Sequence, residues 1–181
     1  MIKLHLGCGP KIFDGFINID ARKIDERIHV DDVSALATIE NNTVDLIYAC
    51  HVLEHFGRHE YQSVLECWYS KLKTGGILRL SVPDVKKAMG LYLSGEYDLK
   101  QMYGFLWGGQ MHEYDYHKIG FDRSILQKSL AAAGFKHKDI KKWDWRKTEH
   151  ATYDDFSQAY MPHMQKDTGV MMSLNIQAVK R

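Results

Sequence analysis

His51, Glu54 and His55 stand at spacings of three and four residues, so a helical turn would gather them on one face. Further on, His112-Glu113-Tyr114-Asp115-Tyr116-His117-Lys118 packs more imidazoles and carboxylates into a short stretch. Two chemistries suit these side chains. Imidazole titrates near neutral pH, which makes His55 and His117 catalytic candidates as general bases. Alternatively, His51, Glu54, His55 and His117 form a divalent metal site, in which imidazole with carboxylate suits zinc, manganese or iron better than magnesium. Tyr97, Tyr103, Phe105, Trp107, Tyr114 and Tyr116 surround the second cluster in sequence. They either line a substrate pocket or lid or pack beneath a long connection, and Gly104, Gly108 and Gly109 would let such a cover hinge.

A second chemical signature lies at the start of the chain. Lys3-Leu4-His5-Leu6 reads as a buried strand, Gly7-Cys8-Gly9-Pro10 as a tight turn, and Phe16-Ile17-Asn18-Ile19-Asp20 as a strand ending on an acid. This layout is a nucleotide-handling crevice at the carboxyl edge of a parallel sheet. A pyrophosphate binder needs a third small residue after the turn and an acid about twenty residues beyond it. Ile12 occupies the former position and Asp20 arrives too soon, so a dinucleotide is disfavoured and a nucleoside-type ligand favoured.

The elements that must position these groups alternate between strand and helix, as in a parallel α/β sheet. Strands are expected near residues 2–6, 16–20, 27–30, 44–50, 77–82, 139–145 and 172–178. The segment from Pro10 to Gly15 is too short for a crossover helix. Tyr61, Val64, Leu65, Trp68, Tyr69 and Leu72 recur at helical spacing, with Gly75-Gly76 as the stop. A further helix runs to about Leu93, and another starts at Asp122 as N-cap and stops at Gly134. The long connections 95–120 and 146–169 are insertions that are either functional or mobile.

These motifs resemble those of the class I S-adenosylmethionine-dependent methyltransferases, of the small methyltransferase-11-like kind. Leu4 to Gly9 fits that family's first motif, Asp20 the acid ending its second strand, and Asp32-Val33 the third-strand acid. Val44 to His55 fits the fourth strand with its following turn, and Leu72 to Leu78 the segment with two glycines. The match covers about the first 84 residues and lacks the family's first helix. The resemblance implies a three-layer Rossmann-like sandwich: a seven-stranded, mostly parallel sheet with an antiparallel last strand. It also implies S-adenosyl-L-methionine as cofactor. Gly7, Cys8, Gly9 and Pro10 would approach its methionine part, and Asp20 with Ala21 its ribose. Asp32 and Val33 would meet adenine, and Cys50 would close the site beside the sulfonium. A second resemblance, to small-RNA 2′-O-methyltransferases and quinone-biosynthesis O-methyltransferases, underlies the metal reading. Glu54-His55 and His117-Lys118 fit their metal motif, whereas His51 replaces its first glutamate.

Composition sets the remaining expectations. The chain has 181 residues and a net charge of +1, ordinary for one globular domain and without a field to steer nucleic acid. Lys136, Lys138, Lys141, Lys142, Arg146 and Lys147 read as a solvated face more readily than as an RNA patch. Cys8, Cys50 and Cys67 are an odd set without metal-type spacing, which points to a reducing, cytoplasmic setting. No apolar run is long enough for a membrane span. The expected function is methyl transfer to an oxygen of a small-molecule or sugar-like acceptor. The rivals are an RNA 2′-O-methyltransferase, a non-catalytic cofactor-binding module, and another reaction on the same fold, such as transfer from a decarboxylated cofactor or pyridine-nucleotide oxidoreduction.

Overall fold

The computed structural model describes residues 1–181. Its strands are β1 (Lys3–Leu6), β2 (Ile17–Asp20), β3 (Ile28–Val30), β4 (Val44–Cys50), β5 (Leu72–Pro83), β6 (Ile140–Lys142), β7 (Tyr160–Met161), β8 (Val170–Met171) and β9 (Ser173–Val179). Its helices are α1 (Tyr61–Lys71), α2 (Val85–Leu93), α3 (Tyr103–Trp107) and α4 (Arg123–Ala132). Seven strands form one sheet in the order β3-β2-β1-β4-β5-β9-β6, while β7 and β8 make a separate hairpin. β9 runs antiparallel to both β5 and β6, and the other pairings are parallel. The sheet thus has the expected mixed form.

The register aligns the strand ends that matter. Leu6 of β1 pairs with Ile19 of β2 on one side and with Ala49 of β4 on the other. The Gly7–Gly9 turn, Asp20 and Cys50 therefore emerge at one edge. They flank the point between β1 and β4 where strand order reverses, the usual place for a ligand in an open α/β sheet.

Packing divides the strands by their period of two. Leu4, Leu6, Ile47, Ala49, Leu78 and Leu80 share one core with Val64, Leu65 and Trp68 of α1 and Leu126 and Leu130 of α4. Asp122 caps α4 as expected, accepting from the Ile125 amide at 2.8 Å. The opposite face is more polar, carrying His5, Tyr48, Arg79 and Asn175, all buried. No crossover helix follows β1, so another segment must cover these side chains. Residues 143–158 do so as short 3-10 turns. Phe13 stacks between His5 at 4.0 Å and Tyr153 at 3.7 Å, and His150 stacks on Tyr48 at 3.9 Å. Tyr48 donates to Asp155 at 2.7 Å, and Asn175 donates to the Ser157 carbonyl at 2.9 Å. Much of the long connection thus forms the third layer.

Two boundaries differ from expectation. β5 begins at Leu72, directly after α1, with a register shift against β4 between Val44 and Leu46, so the helix ends before Gly75. Lys73, within β5, pairs with Asp45 of β4. The sixth strand stops at Lys142, because Trp143 turns inward to donate to the Leu80 carbonyl at 2.9 Å and Asp144 caps the next turn.

Candidate active site

The glycine turn is built from backbone that side chains disfavour. Gly7 has φ +57° and Gly9 has φ +51°. A Cβ on Gly7 would lie 2.6 Å from Val52 Cγ2, so this glycine is fixed by packing against the turn after β4. A Cβ on Gly9 would meet nothing within 4 Å; this is the open side of the turn, where a ligand can approach backbone closely. The Gly9 amide donates to Asp20 Oδ2 at 2.9 Å, and the Arg22 amide donates to Oδ1 at 2.9 Å. Arg22 Nε adds a longer contact to Oδ1 at 3.3 Å. A carboxylate has about four lone-pair sites, so Asp20 keeps capacity for a hydroxyl donor while held in place by backbone.

The other residues expected at the cofactor are arranged around this pair. Ala21 and Pro10 are exposed beside it. Asp31 follows β3 and its amide donates to the Asp20 carbonyl at 3.3 Å, which brings Asp32 and Val33 to the same edge. Asp32 is exposed and accepts from the Ser34 amide and hydroxyl, and the Val33 carbonyl accepts from Trp68 Nε1 at 2.7 Å. Cys8, within the turn, and Cys50, at the end of β4, are free thiols. Burial, aided by nearby Asp20, pushes Cys8 up to about 12, and burial holds Cys50 well above the ordinary thiol range. Neither is a thiolate nucleophile at neutral pH.

Glu54, His55 and His117 come together immediately beyond β4, with one ligand atom from each within 4.8 Å of the others. The expected single helical face is only partly formed. Leu53–His55 is one 3-10 turn, and His51 precedes it at φ +54°, outside the turn. His51 is also not one of that mutually close group, although its Nδ1 lies 3.4 Å from Glu54 Oε1. His117 arrives from the distant connection because the Lys118 amide donates to the Glu54 carbonyl at 2.8 Å.

The hydrogen bonds fix the tautomers of all three imidazoles. His55 Nδ1 lies 3.1 Å from the Tyr116 carbonyl, and His117 Nδ1 lies 3.1 Å from the Phe105 carbonyl. A carbonyl can only accept, so both Nδ1 atoms carry the proton and both Nε2 atoms are bare. Ser173 spends its hydroxyl proton on the Phe156 carbonyl at 2.5 Å. It must therefore accept from His51 Nε2, 3.0 Å away, which leaves His51 Nδ1 bare and facing Glu54. Glu54 is 1% exposed, and neither carboxylate oxygen has a partner.

With Glu54 ionised, this arrangement consists of acceptors without a donor. Burial raises Glu54 to about 8. Burial, reinforced by the neighbouring imidazoles, lowers His51 to about 3 and His117 to about 4, and burial also lowers His55. The imidazoles are neutral and available as bases or ligands. Ser173 was not singled out in the sequence. Its alternation with Leu174 and Ile176 marks a polar face of β9, but nothing local reveals that His51 meets it.

The aromatic connection is partly packed and partly open. Tyr97 and Phe105 pack against Ala88, Leu91, Met102 and Met172. Tyr103 and Trp107 instead border an open groove of about 530 Å³ with Leu99 and Gly108. The basic residues from Lys136 to Lys147 are exposed around edge strand β6, separated from β4 by β5 and β9. No helix is long and apolar enough to cross a membrane.

Residues 8–80 match the family described as "Methyltransferase domain". A structure of an S-adenosylmethionine-dependent methyltransferase from Archaeoglobus fulgidus aligns with 98% of this chain and 85% of its own, at TM-score 0.59 and 15% identity. One from Thermotoga maritima aligns with 99% and 82%, at TM-score 0.59 and 13% identity. One from Listeria monocytogenes aligns with 99% and 91%, at TM-score 0.54 and 15% identity. These identities speak to fold alone. No curated protein sequence matches the chain.

Proposed function

We propose that this chain, whose residues 8–80 match a methyltransferase domain and whose fold is that of S-adenosylmethionine-dependent methyltransferases, methylates an oxygen of a small-molecule or sugar-like acceptor. The observation that carries this reading is the bare Nε2 of His55 and of His117, beside Glu54 at the end of β4. A sulfonium methyl is already activated, so the protein must chiefly align the reactants, exclude water and take the proton of a hydroxyl nucleophile. Preset proton acceptors at this edge suit an oxygen acceptor.

In this reading Gly7, Cys8, Gly9 and Pro10 receive the methionine part of the cofactor, and Asp20 with Ala21 receives the ribose. Asp32 and Val33 receive adenine, and Cys50 borders the sulfonium. Asp20 fits its part because its carboxylate is fixed by two amides and retains accepting capacity. The acceptor oxygen forms a bond to the methyl carbon as the carbon–sulfur bond breaks. The products are the methyl ether and S-adenosylhomocysteine, and the hydroxyl proton passes to the bare Nε2 of His55 or His117; a divalent cation, if held by Glu54, His55 and His117, would instead acidify the hydroxyl. The groove between Leu99, Tyr103 and Trp107 favours an uncharged, partly apolar acceptor.

Release of S-adenosylhomocysteine in the presence of phenol, catechol, sugar, amine and short-RNA acceptors tests this reading. Turnover with hydroxyl compounds that falls at least about 100-fold in His55→Ala or His117→Ala supports it, since general-base catalysis contributes roughly 10²–10⁴-fold. Turnover confined to amines or to RNA overturns it.

A further inference from the structure

We infer that Tyr153, acting through Phe13, is a positioning residue for the cofactor turn, so that the ordering of residues 143–158 and cofactor binding are linked. The inference rests on the placement of the cofactor at Gly7–Pro10 proposed above and is independent of the acceptor.

The turn is tied to the sheet at its start and left without a helix at its end. The Cys8 amide donates to the Ile19 carbonyl at 3.1 Å, and the Gly9 amide donates to Asp20 Oδ2 at 2.9 Å. The Lys11 amide donates back to the Cys8 carbonyl at 3.0 Å, and no helix or strand follows until Ile17. From Gly9 to Ile17 the single buried residue is Phe13. Its amide donates to Asn18 Oδ1 at 2.9 Å, and its carbonyl accepts from Asn18 Nδ2 at 3.0 Å. Its ring stacks on His5 at 4.0 Å and 15°, and on Tyr153 at 3.7 Å and 11°. His5 and Asn18 belong to β1 and β2, so of the two rings stacked closest on Phe13 only Tyr153 comes from outside the sheet.

Tyr153 is itself delivered by a clamped backbone. Its amide donates to the His150 carbonyl at 3.1 Å. Its carbonyl accepts from Nε2 of Gln158, which is buried and also donates to the His150 carbonyl at 2.9 Å. Asp155 then ties the segment to Tyr48 of β4 at 2.7 Å. The Tyr153 ring thus braces the far end of the turn from an anchor elsewhere on the sheet, the part a helix after β1 would play. A ligand that docks on turn backbone needs that backbone in one conformation, and any freedom left in it is lost on binding. Stacking on Phe13 removes that freedom in advance, and near-parallel aromatic pairs contribute beyond the area they bury. The link is reciprocal: if the ordered cover tightens cofactor binding, bound cofactor steadies the cover by the same factor.

The test uses the full chain at a temperature where urea unfolding shows each variant folded. S-adenosylhomocysteine affinity is measured by calorimetry for the wild type, Tyr153→Ala, Tyr153→Phe and Val64→Ala. The last removes α1 packing on the other face of the sheet and controls for lost stability. Affinity should fall about 5-fold or more in Tyr153→Ala, the lower end of typical couplings between sites, while Tyr153→Phe and Val64→Ala bind as the wild type does. Hydrogen exchange at residues 143–158 should slow when S-adenosylhomocysteine binds the wild type and not when it binds Tyr153→Ala. Should Tyr153→Ala fail to fold, Tyr153→Leu, which fills the space without a ring, replaces it in the same measurements. Wild-type affinity in the folded variant that lacks the ring overturns the inference. So does an equal loss in Val64→Ala, which a merely structural role would produce, or exchange at 143–158 that ignores the ligand in the wild type. Asp20→Asn separates this inference from the placement beneath it. If Asp20→Asn loses affinity and Tyr153→Ala does not, only the role of Tyr153 fails; if neither does, the cofactor placement fails with it.

Discussion

The Gly9 amide donates to the Asp20 carboxylate at 2.9 Å, joining the turn after β1 to the acid that ends β2. This bond, with the β1–β2 pairing, ties together the two strand ends proposed to receive the cofactor. Replacing Asp20 with Asn retains the shape but substitutes an NH2 for one acceptor oxygen. Affinity for S-adenosylhomocysteine should fall by roughly 10–100-fold, since a hydrogen bond to a charged group contributes about 1.5–3 kcal/mol. Calorimetric titration of the variant measures this, and unchanged affinity would count against Asp20 as the ribose acceptor.

Gly7 and Gly9 should respond differently to alanine. Both have positive φ, which costs an L-residue about 1–2 kcal/mol. At Gly7 the added methyl also meets Val52 Cγ2 at 2.6 Å, whereas at Gly9 it enters open space. Gly7→Ala should thus lower the melting temperature more than Gly9→Ala. Gly9→Ala should instead weaken cofactor binding out of proportion to its stability loss. Equal melting temperatures would contradict the packing described around Val52.

The buried cover on the polar face should give way in acid. His5 is lowered to about 4, first by burial, against the opposing influence of the Asn18 hydrogen bond and of Asp20. His150 is lowered to about 3 by burial and nearby Arg79, with Lys3 and His5 in the same sense and Glu149 opposing. A depressed histidine pKa means that the unfolded chain takes up protons first. Stability from these residues is complete above about pH 6.5 and is lost as pH falls from there towards 4 and 3. For His5 alone the loss is of order 3 kcal/mol. Urea unfolding at a series of pH values checks this, and a His5→Phe, His150→Phe double variant should flatten the profile.

Tyr48→Phe removes the 2.7 Å bond that anchors residue 155 to the sheet and leaves the Asp155 carboxylate with only the Ser157 amide. The expected cost is about 1–3 kcal/mol, the penalty for a buried acceptor that loses its partner. Limited proteolysis should then cut within residues 143–158 faster than in the wild type. An unchanged digestion pattern would show that other contacts hold this cover.

Local features of the chain were legible before the structure. The apolar run at residues 44–50 became β4, the α1 spacing buried Val64, Leu65 and Trp68, and Asp122 caps α4. The Gly7–Asp20 relationship was readable because its parts lie within one short strand–turn–strand unit. His51 was misplaced because a left-handed φ at a non-glycine residue leaves no mark in residue spacing. Its partner Ser173 lies 122 residues away, beyond the reach of any local pattern. The role of residues 143–158 was hidden for a similar reason. It follows from the missing helix after β1, which exposes a face that only a distant segment can cover.

The central claim is that the glycine turn and Asp20 form a nucleoside–sulfonium site. Its most direct test is calorimetric titration of the full chain with S-adenosylhomocysteine and, separately, with NAD. The structure predicts one S-adenosylhomocysteine bound per chain and no heat from NAD. Binding of NAD with no response to S-adenosylhomocysteine would contradict it.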